Sequence, residues 1–79
     1  MELSNPNQKL RRDLVGLASD MKWSAVELMR IAERLSLAGN EADAQAVLRI
    51  CTVMHAGEDR LQAYSNEVGI GVITRAQAE

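Results

Sequence analysis

Apolar residues recur along the first half of the chain at alternating steps of four and three. Leu10, Leu14, Leu17, Met21, Leu28, Ile31, Leu35 and Ala38 form this series, and Ser24 is its single polar position. A repeat averaging 3.5 residues keeps side chains on one face of an α-helix, whereas a strand would alternate every second residue. Ala18, Ala25 and Ala32 run beside the series. Small residues there let a neighbouring helix approach closely, because helix separation is set by the side chains at the contact. The start is marked by Asn5-Pro6-Asn7-Gln8. Asn5 suits a cap, Pro6 the first helical position and Gln8 the third position of a capping box. The spacing predicts a helix over about 6–38.

Gly39-Asn40 interrupts the pattern. Gly39 reads as a left-handed C-cap and Asn40 as the N-cap of a second helix, with Glu41 and Asp43 favouring its positive end. A second stripe follows, made of Val47, Ile50, Met54, Gly57, Leu61, Tyr64 and Val68, with Cys51 beside it. The second helix is expected over about 40–68, with Gly69 as its stop. Two helices joined by so short a turn form an antiparallel hairpin. That pairing sets Leu35 near Ala44, Ile31 near Val47, Leu17 near Leu61, Leu14 near Tyr64 and Gly57 near Met21. The expected core is therefore Leu14, Leu17, Met21, Leu28, Ile31, Leu35, Val47, Ile50, Met54, Leu61 and Tyr64.

One local signal competes with a continuous first helix. Ser24-Ala25-Val26-Glu27 has capping-box chemistry, and Trp23 and Leu28 stand where a hydrophobic staple would close. A break at 21–24 would give three helices and turn Trp23 inward. The uninterrupted apolar phase through Ser24 favours one helix, straight or merely kinked. The segment 69–79 leaves helical chemistry, with Gly69 and Gly71 flanking apolar and β-branched residues. It reads as an extended tail folded back on the helices, or as a segment that adds to a partner's sheet edge or groove.

Composition places these elements in one small all-α domain, 1–79. The chain has 79 residues, 47% hydrophobic and 25% charged, with no Phe. A domain of this size has no room for a large buried active site and seldom stabilises itself on its own core. Val15, Trp23, Val26, Met29, Leu37, Leu48 and Val53 lie off the two stripes. A hairpin has one interface and cannot cover them. Dimerisation into a four-helix bundle is the economical answer. The first helix carries six basic and four acidic residues and the second two and five, a mild complementarity. A single cysteine, Cys51, forms no internal disulfide. Neither a secretory signal nor an apolar run of membrane-spanning length is read, so a cytoplasmic protein is expected, with no membrane partner.

Chemical candidates are few. Cys51, His55 and Asp59 follow at steps of four with Glu58 adjacent, and all are zinc-ligand types. With no second Cys or His in the chain, no metal site is expected. A Cys51/His55 nucleophilic pair would lack an oxyanion hole and a pocket, so no catalytic residues are assigned. Gly69 and Gly71 follow a helix instead of opening one, unlike a phosphate loop, and no cofactor is expected. Lys9, Arg12, Lys22 and Arg30, with Trp23, make a basic stripe that suits nucleic acid. The net charge of −2 and pI near 5.3 oppose that reading. The Gly39-Asn40 turn also does not set a recognition helix at a steep angle.

Trp23, Val26, Met29, Arg30, Arg34 and Leu37 combine residue types favoured at interface centres with flanking charge. The sequence therefore predicts a non-enzymatic protein-binding regulator, of inhibitor, antiactivator or chaperone-like adaptor type. Its expected partners are a second copy of itself and an unidentified protein. The alternatives are a small dimeric nucleic-acid-binding regulator and a structural subunit of a larger assembly.

Overall fold

The computed structural model describes residues 5–76; positions 1–4 and 77–79, the end of the expected tail among them, lie outside the described residues. Two helices make the fold: α1, Asn5–Leu37, of 33 residues, and α2, Glu41–Gly69, of 29 residues. They pack antiparallel along their whole length into a rod of 55 × 22 × 15 Å. The described residues include no strand.

α1 runs unbroken through Ser24, which is exposed, and Trp23 faces outward. The staple that would have turned Trp23 inward does not form. A capping box serves the unpaired N–H groups of a first turn. In mid-helix those groups already bond the carbonyls four residues back, so Ser24 has nothing to cap.

The turn is built as its glycine requires. Gly39 takes φ 85°, the left-handed conformation that costs other residues about 1–2 kcal/mol. Asn40 N–H then donates to the Leu35 carbonyl at 2.8 Å and Gly39 N–H to the Ser36 carbonyl at 3.0 Å. This is the paired bonding of a Schellman motif. Asn40 occupies the N-cap position, but its side chain makes no capping bond there. The link across the turn instead runs from the Ser36 hydroxyl to the Glu41 carboxylate at 2.6 Å, with Gln45 Nε2 donating to the same carboxylate at 2.9 Å.

α2 ends by the same device, with the left-handed stop two residues later than Gly69 suggested. Gly69 is the last helical residue, and the left-handed position is Gly71, φ 83°. Val72 N–H donates to the Glu67 carbonyl at 2.9 Å and Gly71 N–H to the Val68 carbonyl at 3.2 Å. Past this stop the tail folds back on the hairpin. Arg75 N–H donates to Asn7 Oδ1 at 2.8 Å and ties the tail to the first turns of α1.

The seam between the helices is not the leucine stripe. Its fully buried residues are Ala18, Ala25 and Ala32 on α1, facing Ala44, Cys51, Ser65 and Val68 on α2. The Cys51 thiol lies 3.5 Å from the Ala25 carbonyl, so a side chain of one helix reaches the backbone of the other. That approach is open only where both surfaces are small. Ala25 opposite Cys51 fixes the register. Steps of seven carry it to Ala32 against Ala44 and to Ala18 against half-buried Glu58. Gly57 lies under Met21, as expected: a Cβ there would come within 2.5 Å of Met21 Cε.

Most of the expected core stands half-buried along one margin of this seam. Three of its members are exposed: Leu17 and Ile50 at 52% each, and Tyr64. Small residues take the centre because only they permit contact, and the large ones are displaced to the flank.

Two outcomes test this arrangement. Ala25→Leu should overpack the seam and cost roughly 1–3 kcal/mol, whereas Leu37→Ala on the open surface should stay within about 0.5 kcal/mol. Urea denaturation followed by circular dichroism measures both, and equal midpoints would place the seam elsewhere. The Ser36 hydroxyl, and after it the Gln45 amide, hold the Glu41 carboxyl below its ordinary value. A carboxylate with a lowered folded-state pKa adds stability above its unfolded value and loses it as pH falls through the folded one. The melting-temperature gap between the wild type and Glu41→Gln should therefore shrink on acidification. A gap that widens would contradict the assignment.

Candidate protein-binding surface

The expected binding residues all lie on α1, so helical geometry decides which of them meet. Trp23, Val26, Arg30 and Leu37 are spaced by three, four and seven and form one outward ridge. Met29 stands on the margin towards α2 and Arg34 on the opposite margin. From Trp23 to Leu37 the ridge spans about 21 Å at 1.5 Å per residue. Trp23 is 62% exposed and Leu37 82%, Met29 is exposed and Val26 half-buried.

The local electrostatics are simple. Lys22 Nζ stands 5.6 Å from the centre of the Trp23 ring, within reach of a cation–π contact. Arg30 pairs with Glu27 at 3.6 Å on the open surface, where such pairs contribute about 0–1 kcal/mol. The pair leaves both groups available to a new partner. Beside the ridge, Met29, Ala32, Glu33, Ser36, Glu41, Ala44 and Leu48 line a shallow groove between the helices. Leu48 is the member that a reading of α1 alone could not supply. Its position beside Met29 follows only once Ala32 and Ala44 are known to face each other.

The basic stripe is less coherent. Lys9, Arg12, Lys22 and Arg30 are spread over a broad side of α1, with the Glu27 carboxylate beside Arg30 and Lys22 over the Trp23 ring. Arg12 and Arg30 are about 27 Å apart along the axis. The Cys51 and His55 groups also separate. Cys51 is buried against Ala25, and His55 Nδ1 turns to Glu58 at 3.6 Å. Among the described residues no three Cys, His, Asp or Glu side chains converge to hold a metal ion. No helix among them is long and apolar enough to cross a membrane.

No known protein family matches the chain, and no curated protein or solved structure shows significant similarity to it.

The surface and the seam give opposite chemical reporters. Cys51, the single thiol, should react with a thiol reagent only on unfolding. Trp23, the single indole, should emit as a hydrated tryptophan in the native protein. A thiol that titrates freely under native conditions, or a blue-shifted indole in the free protein, would reverse the two placements.

Proposed function

We propose that the chain is a non-enzymatic, cytoplasmic regulator that binds another protein through the Trp23 ridge. Two hairpins associate into a four-helix bundle that carries the ridge twice. The role is that of an inhibitor or a chaperone-like adaptor, which acts by covering a surface of its target.

One observation carries the reading: the largest aromatic side chain of the chain is presented to solvent in the middle of a rigid helix. Burying a tryptophan contributes several times more than burying a small residue, and exposed Trp and Met beside Arg are the usual makings of an interface centre. Val26 and Met29 supply the adjoining apolar area. Arg30 and Arg34, at the margins, set orientation by charge. The helix holds these groups in place before the partner arrives, so little ordering entropy is lost on association.

The test uses Trp23 both as anchor and as probe. A protein captured from the native host by the wild-type chain should be lost with Trp23→Ala, while circular dichroism and native mass stay unchanged. Adding the purified target to the wild type should shift the indole emission to the blue. Loss of helix in Trp23→Ala would make Trp23 structural and end the assignment. Capture that depends on nucleic acid, falling steeply with salt and abolished by nuclease, would replace this reading with the basic stripe.

A further inference from the structure

We propose that the face carrying both large apolar stripes is the seat of a second copy of this chain, packed so that α1 of each copy lies across α2 of the other. The inference deepens the dimeric state proposed above and is independent of the Trp23 ridge.

The first support is the placement of the stripes. In an antiparallel pair, rotation about the two axes runs in opposite senses, so residues preceding the seam line on α1 share a face with residues preceding it on α2. Leu14, Met21, Leu28 and Leu35 therefore lie on the same side of the rod as Val47, Met54, Leu61 and Val68. A shallow hollow lined by Met21, Gly57, Arg60, Leu61 and Tyr64 joins the helices on this side. From Leu10 to Ala38 on α1, and from Val47 to Val68 on α2, neither stripe contains a charged residue. Leu17, Ile50 and Tyr64 are its large exposed members.

The second support is area. The chain exposes 5848 Å². A compact protein of its 8.7 kDa would expose about 4,700 Å² and one of twice that mass about 7,900 Å². Two separate hairpins thus expose roughly 3,800 Å² more than a compact dimer. A side-by-side dimer keeps the 55 Å length of the rod, so this is an upper bound, and it exceeds the roughly 2,000 Å² at which obligate homodimer interfaces begin.

The third support selects the arrangement. A two-fold axis parallel to the helices keeps every residue at its own height and brings α1 of one copy over α2 of the other. Leu17 is level with Leu61 by the hairpin register, so Leu17 of one copy arrives over the hollow at Leu61, beside Met21 and Tyr64. The margins then match in charge. Arg60 of one copy falls between Asp13 and Asp20 of the other. An axis perpendicular to the helices would instead set the margin of Asp13, Asp20, Glu27 and Arg34, three acids to one base, against its own copy and leave Arg60 away from these carboxylates.

Sedimentation equilibrium of the full chain tests this. The wild type should behave as a dimer of twice 8.7 kDa. Leu17→Glu should raise the dissociation constant roughly tenfold or more, since it sets an unpaired charge in the hollow. Arg60→Glu, on the exposed margin where it does not threaten the hairpin, should also weaken the dimer. The double reversal Asp13→Arg and Asp20→Arg should weaken it likewise, and the three changes together should restore it. A monomer at every concentration would overturn the proposal. So would a dimer indifferent to Leu17→Glu, or a charge exchange without recovery. Trp23→Ala should leave the dimer intact, so a failure here and a failure of the partner-binding reading are told apart.

Discussion

The structure depends on how closely two helices can approach. With Ala18, Ala25 and Ala32 on one side and Ala44, Cys51 and Ser65 on the other, the backbones come near enough for the Cys51 thiol to reach the Ala25 carbonyl. Leucine, isoleucine and methionine are then kept from the line of contact. The largest side chains that the hairpin buries completely are Val68 and Ser65. Leucine, isoleucine and methionine are placed at the margins, where they are partly covered at best. A seam of this kind gains dispersion contacts between backbones, but it removes little large apolar surface from water. The hairpin is well registered and underburied for the same reason.

The ends of the rod are closed by hydrogen bonds. Both helices stop at a left-handed glycine that returns two N–H groups to the last carbonyls. At the open end, where α1 begins and α2 finishes, the Arg75 amide on Asn7 fastens the tail to the first helix, and the Arg11 guanidinium lies beside Gly69. The tail is thereby part of the hairpin up to this bond, and its apolar Ile70 and Val72 remain at the surface. A Cβ at Gly69 would meet the Arg11 guanidinium carbon at 3.5 Å, an ordinary contact, so the glycine is not required by that neighbour.

Much of this was legible in the residues. The two helices, the glycine turn, the antiparallel pairing and the seating of Met21 over Gly57 all follow from periodicity and turn chemistry. The seam itself was not read correctly, because hydrophobic periodicity finds where apolar side chains cluster and does not rank them by size. Leu17 and Ile50 have the right phase for a core and fail by bulk, while Ala25 and Cys51 sit off the stripe and succeed by being small. Ser24-Ala25-Val26-Glu27 misled in another way: a capping box stabilises a helix start, and inside a helix supported along its length by α2 there is no start to stabilise. The Trp23 ridge was visible as a cluster of residue types, but its outward direction depends on the position of the seam.

That position also determines how the two unsatisfied surfaces relate. The leucine stripes flank the alanine line on one side and the Trp23 ridge lies nearly opposite them on α1, so the two surfaces do not compete for the same occupant. A second copy on the stripe face leaves Trp23, Val26 and Met29 open. A two-fold assembly then presents the ridge twice, and a target with two such sites would meet the second one at raised effective concentration. The charges divide in the same way. Arg60, Asp13 and Asp20 edge the stripe face, whereas Arg30 is spent only on Glu27 at the surface and is free to exchange that bond for a partner's carboxylate. A single line of alanines thus leaves two separate apolar faces, one covered in the proposed dimer and the other open to the proposed target.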